Sequence, residues 1–120
     1  MTAYVVGQLK FTDRAAYERY AARFRGVLKQ FGGRLLAADE QPEIIEGRWD
    51  RDKIALLSFS DATAFRGFFA SAQYQEIAKD RKAGTDTLLL LVHGIDGGRL
   101  TSASGRLERR ITRRLVLISA

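Results

Sequence analysis

Five apolar residues stand in a row at Leu88-Leu89-Leu90-Leu91-Val92. The run is far shorter than the roughly 20 residues a membrane-spanning helix needs. With its threonine-rich lead-in and the glycine after His93, it predicts a strand from Thr85 to His93. Successive side chains of a strand point to opposite faces, so Leu88, Leu90 and Val92 share one face while Leu89 and Leu91 take the other. A second segment, Lys53 to Ser60, behaves alike, with Ile54 and Leu56 opposed to Ala55, Leu57 and Phe59. A sheet wetted on one side alternates apolar with polar. This one is apolar on both, and at about 25 cal/mol per Å² the exposed side chains would forgo several kcal/mol, a large part of a small domain's stability.

The remaining elements follow from caps and periodicity. Ala3 to Phe11 is rich in Val, Tyr and Phe and predicts a first strand. Asp13 then caps a helix whose apolar positions Tyr17, Tyr20, Ala21, Phe24, Val27, Leu28 and Phe31 step by three or four. Gly32-Gly33 ends it, because glycine accepts the left-handed conformation of a C-terminal cap. Leu35 to Ala37 forms a short extended run, Asp39-Glu40-Gln41-Pro42 a turn, and Glu43 to Gly47 a second extended run, which the residues allow as two strands or as one interrupted strand. Asp61 caps a helix carrying Phe65, Phe68 and Phe69, and after a cap or kink at Ser71 a helical segment continues through Tyr74, Ile77, Ala78 and Arg81. The order β-α-β-β-α-β predicts an α+β, ferredoxin-like fold: a mainly antiparallel sheet with both helices on one face. The opposite face then needs a cover. A second copy of the chain, sheet against sheet in a homodimer, is the economical one, because a twofold interface lets one patch complement itself. The chain's own C-terminal segment is the alternative.

Charge divides the chain. Its net charge is +6 over 120 residues, yet residues 1 to 94 hold 14 Lys+Arg against 12 Asp+Glu, whereas residues 95 to 120 hold six arginines against Asp96 and Glu108. The break falls at Gly94-Ile95-Asp96-Gly97-Gly98. Residues 1–94 are therefore expected to be the folded domain and 95–120 a basic, peripheral or poorly ordered extension. In that extension Leu107, Ile111 and Leu115 alternate with arginines, which suits a basic amphipathic helix on an anionic surface, although Leu115 to Ile118 is equally strand-like. It lacks the stacking aromatics of single-strand binders and any DNA-reading motif, which argues against nucleic acid as a partner. A membrane is disfavoured too. The segment Met1-Thr2-Ala3-Tyr4 lacks the basic and apolar regions of a signal peptide, so the expectation is a soluble, cytoplasmic protein.

Several motifs taken together resemble a known family. These are Tyr4-Val5-Val6, Asp13 with Tyr17 and Tyr20, Phe31-Gly32-Gly33-Arg34, Glu46-Gly47-Arg48-Trp49 and Ser71-Ala72-Gln73-Tyr74-Gln75. Their combination over residues 3 to 94 resembles the bacterial family called domain of unknown function 1330, within the dimeric α+β barrel superfamily. The resemblance implies two ferredoxin-like sheets pairing into a barrel, with a pocket in each protomer between sheet and helices. Two features depart from the pattern: Ala72 and Gln73 stand where the family often has proline and an acidic residue, and the segment from Ile95 onward has no counterpart.

That implied pocket would draw on Tyr17, Tyr20, Phe68 and Tyr74, and these are the ligand-binding candidates together with Arg81. A buried phenol needs a hydrogen-bond partner, and phenols beside an arginine can hold a carboxylate or polarise a carbonyl. Arg81 shares a stripe with Tyr74, Ile77 and Ala78, where a permanent charge either snorkels to water or meets an anion. For the aromatics the competing reading is plain core. His93, the single histidine, is a weaker candidate, since one imidazole without a placed carboxylate and nucleophile makes neither a triad nor a metal site. Glu46 and Trp49 are weaker still: Glu46 suits bonding of backbone amides at a turn, and Trp49 suits capping of a dimer seam.

With no cysteine, the chain has no disulfide, thiolate metal site or cysteine nucleophile, and it carries no phosphate-loop or dinucleotide motif. No metal and no cofactor are expected, and no catalytic residue can be named. Three functions remain in play: a cofactor-independent binder or enzyme acting on a small apolar or carboxylate-bearing metabolite; a non-catalytic assembly or interaction module with a filled core; and, third, binding of nucleic acid or an anionic membrane through the basic extension. A void of a few hundred Å³ touching Tyr20 and Arg81 distinguishes the first from the second.

Overall fold

The computed structural model describes residues 1–95. The basic extension beyond them, with its helical and strand-like alternatives, lies outside the described residues. In chain order the elements are β1 (Ala3–Phe11), α1 (Arg14–Gln30), β2 (Arg34–Asp39), β3 (Lys53–Phe59), α2 (Ala62–Ala70), α3 (Ala72–Gly84) and β4 (Thr85–His93). They build one four-stranded antiparallel sheet in the order β2-β3-β1-β4, the ferredoxin-like arrangement expected from the element order. Among the described residues no helix is long and apolar enough to cross a membrane.

The helix ends are set by the residues the sequence offers for them. Asp13 accepts hydrogen bonds from the backbone of Ala15 and Ala16 and so satisfies donors that the first turn of α1 leaves open. Ser71 both ends α2, by donating to the carbonyl of Phe68, and starts α3, by accepting from the backbone of Tyr74. Gly32, at φ +75°, makes the left-handed turn after α1. One segment departs from expectation. Glu43 to Gly47 is not a strand; residues 40–52 form an irregular arm between β2 and β3. The side of β3 that such a strand would need is already paired with β2, which runs unbroken to Asp39 apart from a bulge between Leu35 and Ala37. Pro42, and Gly47 at φ +91°, also break an extended path.

All three helices lie on one face of the sheet. The core there is made by Val5, Leu9, Leu57 and Phe59 from the strands against Tyr17, Tyr20, Leu28, Phe68, Tyr74 and Ile77 from the helices. No other described residue of the chain seals the other face: Leu88, Leu90 and Val92 are 41, 44 and 44% exposed. Their exposure matches the sequence pattern of a sheet apolar on both sides with one side still to be covered.

The start of α1 and the end of α3 meet at Gly84, whose carbonyl accepts from the backbone of Thr12 and Asp13 at 2.9 and 3.1 Å. A Cβ at this position would stand 2.6 Å from the Asp13 carbonyl oxygen and 2.6 Å from the Tyr17 nitrogen. Both are backbone atoms and cannot rotate away. Gly84→Ala is expected to lower stability by about 1–3 kcal/mol, the usual cost of overpacking. Urea unfolding checks it: the midpoint should fall with the slope unchanged, and an unmoved midpoint would contradict this contact geometry.

Candidate functional site

The space between α1, α3 and the sheet is not filled. A cavity of about 270 Å³ lies there, and its floor can be read from the strand register. On the helix-facing side Ala38 of β2 pairs with Ala55 of β3, Ala55 pairs with Gly7 of β1, and Gly7 pairs with Leu89 of β4. Three of the four residues on this rung are alanine or glycine, whereas the neighbouring rung carries Leu35, Leu57 and Val5. Ala21 supplies a further small side chain from α1 above it. Close packing normally leaves few voids larger than a water molecule, so a row of missing side chains under bulky neighbours opens a cavity of this kind.

The walls are aromatic. Phe24 and Tyr17 come from α1, Phe65 and Phe68 from α2, and Tyr20 and Tyr74 face each other from α1 and α3. Phe68 and Tyr74 pack with ring centroids 4.6 Å apart, while Tyr20 meets Tyr74 edge-on at 6.2 Å. All five ligand-binding candidates named from the sequence, Tyr17, Tyr20, Phe68, Tyr74 and Arg81, line this one cavity. Ala38 and Arg25, which are exposed, and half-buried Lys53 mark its open side.

Polar chemistry is concentrated in three side chains. The Tyr20 and Tyr74 hydroxyls share a hydrogen bond of 3.1 Å, and Arg81 Nε donates to the Tyr74 oxygen at 3.2 Å. Arg81 does not snorkel: it is 7% exposed. Among the described residues it forms no ion pair, and its terminal nitrogens have no hydrogen-bond partner. No side-chain nitrogen or oxygen among those residues is both sealed off and unpaired, so these nitrogens keep accessible surface. Proton counting gives the same sense for the phenols. Two hydroxyl protons enter a cluster with one bond between the hydroxyls, which leaves one proton to donate elsewhere. Burial, reinforced by the neighbouring Tyr74 hydroxyl, pushes the Tyr20 phenol well above its ordinary range and outweighs the opposing charge of Arg81. Tyr20 is thus a neutral donor rather than a base. The wall also holds Arg25 and Lys53, and no aspartate or glutamate of the described residues lines it.

The family comparison agrees with this architecture. A model described as domain of unknown function (DUF1330) matches residues 2–95. The chain belongs to this family. No curated protein matches the sequence. Among solved structures, this DUF1330 protein is similar to a protein of unknown function from Rhodopseudomonas palustris at 16% identity, covering 78% of this chain and 82% of that one with a TM-score of 0.68. It is also similar to a cofactor-independent oxygenase from Streptomyces nogalater at 18% identity, covering 84% and 96% with a TM-score of 0.60. A dimeric ferredoxin-like protein of unknown function from Jannaschia matches at 17% identity over 78% and 100%, with a TM-score of 0.62. At these identities the likeness establishes the shared fold.

The three weaker candidates lie elsewhere in the DUF1330 chain. His93 is exposed at the end of β4. Glu46 is exposed on the arm and makes no hydrogen bond among the described residues, so the expected bonding of backbone amides is not found. Trp49 lies over the open face of the sheet, where its indole nitrogen donates to Gln8 Oε1 at 3.3 Å. No cluster of three or more histidine, aspartate or glutamate side chains placed to hold a metal ion occurs among the described residues. Sequence reasoning missed the small-residue rung Ala38-Ala55-Gly7 and the mouth residues Lys53 and Arg25. Gly7 and Ala55 were visible as small residues at helix-facing positions of otherwise bulky strands.

Proposed function

We propose that the protein is a homodimer in which each protomer binds a small, largely apolar anion, its carboxylate or comparable oxyanion held by Arg81 and by the phenolic proton of the Tyr20–Tyr74 pair. The observation that carries this reading is Arg81: a buried guanidinium with unspent donors, beside a cavity whose wall has cations and no carboxylate. Stripping a permanent charge of water costs several kcal/mol unless a partner compensates, so an anionic ligand is the natural counterpart. The aromatic walls suit a flat apolar body. A volume of about 270 Å³, just under the roughly 300–1,000 Å³ of pockets for drug-sized ligands, restricts that body to a small one. It also speaks against an assembly module with a filled core.

The wall among the described residues contains no carboxylate and no imidazole. The chain's own contribution is therefore to bind and polarise an oxyanion rather than to abstract a proton. An electron-rich aromatic anion held in this way is also a reasonable substrate for cofactor-independent chemistry of the class named for the Streptomyces nogalater relative. Dimerisation is supported by the open apolar face and by the dimeric description of the Jannaschia relative.

Thermal shift with matched probes tests the ligand class. Small aromatic carboxylates are expected to raise the melting temperature by several degrees at tenfold excess over Kd, because about 1.4 kcal/mol of linkage acts on a domain of this size. Their uncharged amides should not. Equal shifts from acids and amides, or none from any aromatic or aliphatic acid, would overturn the reading.

A further inference from the structure

The arm between β2 and β3 bears two isoleucines that the single chain leaves in water. Ile44 and Ile45 are 52 and 66% exposed, more than any leucine or valine on the sheet face. They share an open hollow of about 490 Å³ with Trp49 of the arm and Ile54 of β3, and Ile54 belongs to the open face of the sheet. The arm is moored there by the Trp49 bond to Gln8, and at its C-terminal end by Asp52, whose backbone donates to the Leu9 carbonyl and whose carboxylate accepts from the backbone of Phe11. Gln8 pairs with Ile54 and Leu88, so the arm rises at that end of the face. The opposite end, at Tyr4 and Val92, carries no such segment among the described residues.

Area decides what this arrangement is for. Strands about 4.8 Å apart with about 3.3 Å per residue give four strands of about eight residues a projected footprint near roughly 500 Å². A stable pair buries about 800 Å² per partner. Accessible area exceeds projected area on a face covered with side chains, so the sheet face alone reaches the low end of that size, and the apolar arm is the surface continuous with it that adds to it. A twofold axis lying in the interface across the strands sets the arm end of each sheet against the bare end of the other. An axis along the strands would instead press arm on arm and splay the bare ends.

Resting on the dimer reading above, we infer that the arm is exchanged between copies, with Ile44 and Ile45 of each chain seated on the Tyr4 and Ser58 end of its partner, since this axis keeps β3 opposite β3. The occupant of the hollow is then a second copy of this chain, and the dimer is closed at both ends by two equivalent arm contacts.

The absence of cysteine makes a direct test available. Full-length Ile45→Cys and Ser58→Cys chains carrying different tags are mixed and mildly oxidised. The expected result is a disulfide-linked dimer joining the two tags, in the mixture and in neither variant alone. The Ile44→Asp, Ile45→Asp double variant, altered at positions already exposed in the single chain, should raise the dimer dissociation constant at least about 30-fold while keeping its circular dichroism. Disulfides between two Ile45→Cys chains, or an unchanged dissociation constant in the double variant, would overturn the arm exchange and leave the dimer standing. An unmodified chain that sediments singly at micromolar concentration would remove the dimer and the exchange together.

Discussion

Replacing Arg81 with methionine is expected to weaken binding of a small aromatic carboxylate about 100-fold while leaving the melting temperature unchanged or higher. Each charge-assisted hydrogen bond to the ligand contributes about 1.5–3 kcal/mol. A guanidinium offers two of them in parallel to one carboxylate. Losing about 2.7 kcal/mol corresponds to the predicted factor. Stability should move differently, because in the unliganded chain the buried charge is answered by one neutral hydrogen bond, to Tyr74. Replacing a buried charge with an apolar side chain of similar volume is often neutral or stabilising, and methionine adapts to irregular space. Arg81→Lys should fall between, since lysine keeps the charge and loses the fork. Tyr74→Phe separates the roles further, removing the phenol that Arg81 contacts and leaving the guanidinium in place. Calorimetric titration and thermal melts on the three variants check this. Parallel losses of affinity and melting temperature in Arg81→Met would mean that the arginine serves to hold α3 together, and the anion reading would fail.

How far the sequence reaches can be argued from particular residues. Strand and helix limits were legible wherever a residue has one dominant local role: Asp13, Asp61 and Ser71 as caps, and Gly32 at positive φ. Tyr17, Tyr20, Phe68, Tyr74 and Arg81 were legible as inward-facing residues because helical spacing puts them on inward stripes, which is a local property; that they line one pocket was implied by the family resemblance. Whether such stripes fill their space is not local. The cavity exists because Ala38, Ala55 and Gly7 fall on one rung, and that depends on the pairing of three strands, including a bulge between Leu35 and Ala37. The arm failed as a strand for a similar reason: Glu43 to Gly47 has a tolerable composition for extended structure, yet the edge it would need is taken by β2. Pairing partners are a property of the whole sheet, and no window of the sequence contains them. For Arg81, the sequence could state that the charge must either reach water or meet an anion; only the packed helices determine that it stays inside.

The same logic applied to the outer face gives the largest expected effect. Leu90 lies midway along β4, an edge strand of the uncovered surface, with Val6 of β1 beside it and Leu56 of β3 beyond. Because Leu90 is already 44% exposed, Leu90→Asp should cost the isolated chain little. In the dimer it places two carboxylates in an apolar seam, one from each copy, and an uncompensated buried charge costs about 3–5 kcal/mol. Dimerisation should weaken by at least about a thousandfold, so that a chain paired at micromolar concentration sediments singly. Charge is the main cause: Leu90→Asn, uncharged and of similar size to Asp, should weaken association less. The melting temperature supplies a second readout, rising with concentration for the unmodified chain, whose folding is linked to association, and independent of concentration for Leu90→Asp. Unchanged sedimentation in Leu90→Asp would mean that this face is not where two copies meet, and that the apolar residues of β3 and β4 are covered in some other way.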